Sequence, residues 1–194
     1  MDLSSRRRSN IGDGQSHPPA NSPESEVWTL QNRRPSGELS QVTHEEILDT
    51  LRTTPDRVEA SARSLSPEHL ARRPKEGEWS MGEILHHLLI GERDVILPRL
   101  RRMLREDSPV FPSSAPSRTG FAASPAPSDF AEDLSAFRRV RSQTLAFLDG
   151  LGGGDWQRTG TTPTRGTLTI EAYARYLAEH DLEHLAQLRE TRTV

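Results

Sequence analysis

The sequence predicts an all-α protein, a four-helix bundle with a long Pro/Ser-rich crossover between its second and third helices. Apolar residues recur at helical spacing in four segments, helix-capping patterns precede three of them, and no run of residues alternates as a β-strand does. Four amphipathic helices joined by one short and two longer connections bury their apolar faces against a shared interior. A length of 194 residues allows one such domain and a modest tail.

Residues 1–41 are predicted to form a disordered N-terminal tail. This stretch consists mainly of Ser, Pro, Asn, Gly, Gln and residues of mixed charge, with few large apolar side chains. It cannot bury enough apolar surface to offset the entropy lost on ordering. The folded domain is therefore predicted over residues 42–194.

The first helix is predicted to begin at Thr43. Thr43 and Glu46 have the spacing of a capping box, in which each side chain satisfies a backbone N–H of the other residue. Ile47 and Leu51 start an apolar stripe, and Pro55 either kinks this helix or restarts it. The stripe continues beyond the proline, so helical structure is expected on both sides of it.

The second helix is predicted to begin at Ser80. Ser80 and Glu83 form another capping box, directly after Trp79. Apolar residues cover nearly the whole circumference of this helix, which indicates that it is buried. It is expected to run toward Leu104, with a bend near Pro98.

Longer connections flank the third helix on both sides. Residues 107–128 carry five of the 14 prolines among serines and alanines, which predicts an irregular crossover. The third helix is predicted from about Ser128 to Asp149, with Gly150 as its C-terminal glycine. After a loop rich in glycine and threonine, Thr169 is predicted to cap the fourth helix.

Composition limits the compartment, the partners and the chemistry. The chain has 25 Lys and Arg residues against 28 Asp and Glu residues. It therefore lacks the excess of basic residues that would predict a nucleic-acid or membrane partner. No run approaches the roughly 18 apolar residues of a membrane span and no signal peptide is recognised, which predicts a cytoplasmic protein. The sequence contains no cysteine, so a metal must be held by His, Asp or Glu.

Three histidines are candidates to bind a metal. His180 and His184 are four residues apart on the last helix, so their rings project from the same apolar face. His87 lies on the inward arc of the second helix, whereas His86 is rotated by about 100° toward a neighbouring helix or solvent. Three neutral imidazoles would leave a divalent cation with its full charge and an open coordination position, as in catalytic sites. The alternative is three core histidines hydrogen-bonded to backbone or hydroxyl groups.

Four further residues are candidates to line a pocket. Arg141 lies on the apolar face of the third helix, where it either holds an anionic substrate or pairs with a buried carboxylate such as Glu92. Tyr173 and Gln187 share the arc of the histidines, and either line the pocket or serve as core and interhelical hydrogen-bonding residues. The helical angle of Asp181 predicts an exposed side chain.

At these positions the sequence resembles the DinB/YfiT-like family of small helical-bundle proteins, in which a Trp-Ser helix start leads to a histidine and the last helix carries two more. The resemblance spans nearly everything after residue 42 and rests on these segments: Ser66-Pro67, Trp79-Ser80, Ile84 to Leu88 with Glu92, Phe137 with Arg141, and His180 to Leu188. It implies that the metal ligands are His87, His180 and His184, the same three histidines that helical spacing selects.

The resemblance also implies a metal-dependent enzyme. Members look like hydrolases, or like transferases that join a low-molecular-weight thiol to an electrophile. Zn, Ni or Fe would be the divalent cofactor, the thiol would be a cosubstrate because the chain has no cysteine, and the substrate would be a small molecule. Catalytic residues other than the metal ligands are not assigned, and a homodimer is expected by analogy.

Two other interpretations stay open. His180-Asp181-Leu182-Glu183-His184 matches the H-x-x-E-H pattern of inverted zinc peptidases, with Glu183 as general base. That pattern needs a further acidic ligand downstream, and only ten residues follow His184. The second alternative is a non-catalytic helical bundle that serves as a binding or sensor module and in which the histidines are structural.

Overall fold

The computed structural model of the chain describes residues 43–112, 129–163 and 165–192. The helices are α1 (His44–Ala62), α2 (Pro67–Ala71), α3 (Met81–Ile90), α4 (Leu97–Arg105), α5 (Phe130–Asp149) and α6 (Ile170–Arg192), and the strands are β1 (Thr159–Thr162) and β2 (Gly166–Thr169). The all-α four-helix bundle is confirmed, with α3 and α4 together forming the second long helix. The predicted tail over residues 1–41 and most of the predicted crossover lie outside the described residues.

Side-chain caps start the long helices where the sequence predicted them. The Thr43 hydroxyl accepts from the Glu46 N–H at 3.2 Å, and the Glu46 carboxylate accepts from the Thr43 N–H at 2.7 Å. Ser80 and Glu83 form the same reciprocal pair at the start of α3. At the start of α6, the Thr169 hydroxyl accepts from the N–H of Ala172 at 3.0 Å. Each cap satisfies backbone donors that the first helical turn leaves free.

The prolines and the C-terminal glycine lie inside the helices or at their ends. Pro55 lies inside α1, which continues to Ala62 without a restart. Pro98 lies in the first turn of α4, and the segment just before that helix, Gly91–Ile96, is π-helical. Gly150 is the C-cap residue of α5, as the sequence predicted, and its φ of −82° is accessible to any residue.

Apolar side chains fill the interior of the bundle in two clusters. One cluster joins α1, α4 and α6 around Leu51, Leu100 and Leu177. The other joins α3, α5 and the end of α6 around Leu85 and Phe137. Helix α1 packs on α6 and α5, and α3 packs on the same two helices. None of the described helices is long and apolar enough to cross a membrane.

The sequence analysis did not predict the short β-hairpin that follows α5. Strands β1 and β2 pair antiparallel, with Thr159 opposite Thr169 and Thr162 opposite Gly166. The loop after α4 pairs alongside β1, because the N–H of Phe111 donates to the Thr161 carbonyl at 2.8 Å. The strands have four residues each and are rich in Thr and Gly, so they carry no apolar alternation that sequence reasoning could detect.

Gly160→Ala is expected to lower the free energy of unfolding by about 1–3 kcal/mol, the usual cost of overpacking. A Cβ at Gly160 would lie 2.7 Å from Cε2 of Phe111 and 2.8 Å from Cγ of Met103. Urea denaturation of Gly160→Ala should be compared with Gly153→Ala, where a Cβ would meet nothing within 4 Å. Equal stabilities of the two variants would contradict this close packing.

Candidate metal centre

The structure brings together the three histidines that the sequence selected. His87 extends from α3, and His180 and His184 extend from adjacent turns of α6. Nε2 of His180 lies 3.1 Å from Nε2 of His87 and 3.1 Å from Nε2 of His184. One ligand nitrogen from each ring lies within 4.8 Å of the others. The i, i+4 spacing on α6 places two of these rings one turn apart.

All three imidazoles are held in the neutral form. Burial, together with the smaller effects of the nearby His184 and His86, lowers the pKa of His87 to about 3. Burial also lowers the pKa values of His180 and His184. Nδ1 of His184 lies 2.9 Å from Oε1 of Gln187, an acceptor, so Nδ1 carries the proton and Nε2 keeps its lone pair. Each ring can therefore offer an uncharged nitrogen to a cation at neutral pH.

The donor set fits a divalent transition metal. Imidazole nitrogens bind Zn²⁺ at about 2.0–2.1 Å, so two such nitrogens on a tetrahedral ion lie roughly 3.3 Å apart. The two Nε2 separations of 3.1 Å agree with this spacing. Neutral nitrogen ligands suit Zn, Ni and Fe and do not suit Mg or Ca, which take oxygen. The three histidines could therefore hold one Zn, Ni or Fe ion.

Aromatic rings surround the three histidines. The ring centroid of Trp79 lies 4.9 Å from that of His87 and 6.1 Å from that of His184. The ring centroid of Tyr176 lies 5.7 Å from that of His180. The Arg165 guanidinium stacks over the Tyr176 ring, with Cζ 3.6 Å from its centroid. Sequence reasoning missed Tyr176, although its position one turn before His180 was a usable signal.

Tyr173, a pocket candidate in the sequence analysis, is connected to the histidines through Tyr176. Its side chain is buried in the core and stacks on Tyr176 with ring centroids 6.0 Å apart. The Arg99 guanidinium donates to the Tyr173 hydroxyl at 3.3 Å. Gln187, the other candidate on the same arc, contacts His184 directly.

A buried ionic network occupies the interior between α3, α5 and α6. Arg141 donates to the Glu92 carboxylate at 2.8 Å and to the Asp181 carboxylate at 2.5 Å. The exposed fractions of Arg141, Glu92 and Asp181 are 1%, 1% and 0%. Burial opposes the guanidinium charge, but the carboxylates of Asp181 and Glu92 outweigh it and raise the pKa of Arg141.

These contacts decide one sequence alternative and overturn one expectation. Arg141 pairs with buried carboxylates, as the second reading of that residue held, and Glu92 is one of its partners. The expected exposure of Asp181 is wrong, because Arg141 from α5 faces it across the interior. A helical angle taken from α6 alone carries no information about a cation on another helix.

Pro55 on α1 leaves a backbone carbonyl free to accept a hydrogen bond from this network. A proline has no N–H, so the carbonyl four residues earlier in a helix loses its usual donor. That carbonyl belongs to Leu51, and Nη1 of Arg141 donates to it at 2.8 Å. The guanidinium therefore joins α1 to α5, α6 and the segment that follows α3.

Glu92 is buried within a π-helical segment. On a regular α-helix, Glu92 would lie about 140° around the axis from His87. The segment Gly91–Ile96 is π-helical, and the N–H of Leu97 donates to the carbonyl of Glu92, five residues earlier. Glu92 is nevertheless 1% exposed and contacts Arg141 of α5. Sequence periodicity assumes a regular helix and does not report a π-helical segment.

Metal-free protein is expected to lose stability as the pH falls from about 6.5 toward 4. The pKa of His87 in the folded chain is about 3, below the value of about 6.5 in unfolded chains. The unfolded state therefore binds more protons in this window, and the stabilisation present above pH 6.5 is lost on acidification. The slope should approach about 1.4 kcal/mol per pH unit for each such histidine.

Urea unfolding after chelator treatment, repeated across this pH range, measures that slope. The variant with His87, His180 and His184 all replaced by alanine is the control, because it lacks the three half-buried imidazoles. Parallel pH profiles of the parent and this variant would contradict neutral histidines.

Fold and site together define a helical bundle whose interior presents a three-histidine cluster that could hold a metal ion. The sequence model of the DinB superfamily matches residues 50–188. The chain belongs to the DinB superfamily, as the sequence resemblance indicated.

The chain is similar to several known proteins. Uncharacterized protein YuaE from Bacillus subtilis (strain 168) is 26% identical over 141 residues, which are 66% of this chain and 86% of YuaE. YfiT from Bacillus subtilis, described as a probable metal-dependent hydrolase with an unusual four-helix bundle topology, is similar with a TM-score of 0.67 at 18% identity, over 81% of this chain and 90% of YfiT. TT2238, a four-helix bundle protein, has a TM-score of 0.57 at 24% identity, over 76% of this chain and 99% of its own. At these identities the two solved structures show the fold.

Proposed function

We propose that this protein is a metal-dependent enzyme that acts on a small molecule. His87, His180 and His184 hold one divalent ion, Zn, Ni or Fe. The observation that carries the proposal is the convergence of three neutral imidazole nitrogens within 4.8 Å. The description of YfiT as a probable metal-dependent hydrolase supports it.

A divalent cation bound by three uncharged ligands keeps its full charge and an open position, and supplies a Lewis acid that lowers the pKa of water or of a thiol. Gln187 fixes the tautomer of His184 by accepting from Nδ1. Trp79 and Tyr176 lie against the histidine rings. The chain's own residues thus orient the ligands and cover part of their surface.

Two reactions follow from one centre. In a hydrolase, water would cleave an ester or amide bond and the alcohol or amine would leave. In a transferase, a low-molecular-weight thiol would lose its proton and form a C–S bond, while a halide leaves or the C–O bond of an epoxide opens and takes up a proton. The sequence has no cysteine, so the thiol must arrive as a cosubstrate. Hydrolysis is favoured by the description of YfiT, and the transferase reaction by the affinity of Zn, Ni and Fe for thiolate sulfur.

The peptidase interpretation has less support. Its general base would be Glu183, which is exposed on α6, whereas His180 and His184 point inward. Glu183→Gln is therefore expected to retain the turnover of the parent, while a peptidase of the H-x-x-E-H class would lose it.

Elemental analysis of full-length protein, purified without a His-tag or added metal, tests the proposal. About one metal equivalent is expected in the parent and none in the variant with His87, His180 and His184 replaced by alanine. His69→Ala, which removes an exposed histidine from α2, serves as the control and should keep its metal. Equal metal in the parent and the triple variant would show that the site is wrong.

Turnover then separates the enzyme from a sensor or binding module. Activated esters and amides are offered alone, and alkyl halides and epoxides are offered with and without a low-molecular-weight thiol. Activity that disappears in His184→Ala while folding survives supports the enzyme. Metal binding without turnover of any substrate would favour the non-catalytic module.

A further inference from the structure

We propose that the buried network of Glu92, Arg141 and Asp181 supplies the counter-charge for the cation at the histidine centre. The inference rests on the proposed function, because it presupposes that the three histidines hold a divalent metal. It assigns Glu92 and Asp181 as positioning residues that act on the metal through charge, without ligating it.

The formal charges of the network are unequal. Two carboxylates, Glu92 and Asp181, contact one guanidinium, that of Arg141. One negative charge is therefore in excess, and all three side chains are almost completely shielded from solvent. The histidines contribute no charge of their own, because an imidazole ligates a metal in its neutral form. A dication would otherwise enter this interior without any compensating charge from its ligands.

Burial gives this excess charge its effect. Charges interact several times more strongly inside a protein than in water, because the effective dielectric constant is lower. Counterions screen surface charges but reach buried ones poorly. One uncompensated negative charge in the interior therefore favours the metal-bound state over the metal-free state.

Both carboxylates of the network lie on the elements that carry the ligands. Asp181 directly follows His180 on α6, and Glu92 lies in the π-helical continuation of α3, which carries His87.

Stability alone does not account for such a network. Replacing buried ion pairs by apolar residues of similar volume is often neutral or stabilising. This chain nevertheless adopts a π-helical segment at Glu92 and has a proline on α1 that frees the Leu51 carbonyl for Arg141. Such π-helical irregularities occur frequently at functional sites. A role in metal binding gives these features a common reason.

Titration of the full-length, metal-free protein with Co²⁺ tests the inference. Glu92→Gln keeps the shape of the side chain and removes the excess charge, and Asp181→Asn does the same on the other side of Arg141. Each variant is expected to bind Co²⁺ about tenfold more weakly than the parent, the lower end of the effect of residues outside the ligand set. The visible spectrum of bound Co²⁺ should stay that of the parent, because the ligands are unchanged.

Glu183→Gln is the matched control. It makes the same chemical change next to His184, but on an exposed side chain. Solvent and salt screen that charge, so the Co²⁺ affinity should change by less than about twofold.

Each other outcome overturns the inference. Both amide variants with Co²⁺ affinities within about twofold of the parent would remove the charge effect and leave the metal site intact. An altered Co²⁺ spectrum, or loss of the fold in both variants, would assign the network to structure. A parent that binds no Co²⁺ would overturn the proposed function as well. Where only one amide variant folds, that variant alone suffices for the comparison.

Discussion

Replacing His180 by alanine is expected to weaken divalent-metal binding by more than about 100-fold, beyond the range seen for residues outside a ligand set. Nε2 of His180 lies 3.1 Å from the corresponding nitrogens of both His87 and His184. Its loss leaves two ligands on different helices with a gap between them. Competition against a chromophoric chelator measures the affinity, and turnover should fall to background in the same variant.

Two control variants give this experiment a scale. Gln187→Leu removes the acceptor for Nδ1 of His184 and should cost about 10–100-fold in metal affinity, less than the loss of a ligand. His69→Ala alters an exposed histidine on α2 and should leave the affinity unchanged. A His180→Ala variant that still binds one equivalent tightly would mean that the metal is held elsewhere.

Arg141→Met is expected to lower the free energy of unfolding by about 3–5 kcal/mol. The substitution keeps most of the side-chain volume but leaves the carboxylates of Glu92 and Asp181 without their cation in the interior. It also removes the N–H donor to the Leu51 carbonyl, and Pro55 has no N–H with which to replace that donor. Urea or guanidinium denaturation of metal-free protein measures the loss directly.

Arg138→Met on the same helix is the matched control. Arg138 also contacts two carboxylates, those of Asp56 and Glu59, but its ion pairs are exposed. Pairs of this kind contribute about 0–1 kcal/mol, so this variant should remain close to the parent. Similar losses for Arg138→Met and Arg141→Met would contradict the dominant role of burial.

Local patterns account for what sequence reasoning predicted correctly. The capping boxes at Thr43 and Ser80 are confirmed as helix starts, because a cap involves residues only three positions apart. The i, i+4 pair of His180 and His184 shares one helix and one face. The inward arc of His87 follows from the same periodicity.

Contacts between distant segments account for what sequence reasoning missed. Hairpin strands β1 and β2 have no apolar alternation, and their pairing depends on packing beside the loop after α4. Arg141 of α5 contacts both Glu92, which lies in the π-helical segment, and the Leu51 carbonyl that Pro55 leaves free. Neither contact can be predicted from the residues next to it in the sequence.

The sequence by itself determined the four long helices, the residues at which three of them begin, and the three histidines that face inward, because these properties follow from residues within one or two turns of each other. Only the tertiary structure decided that Asp181 is buried, that Glu92 turns into the core and that both meet Arg141. The physical reason is that a charged side chain is buried only with a partner, and here that partner lies on another helix, at least 40 residues away along the chain.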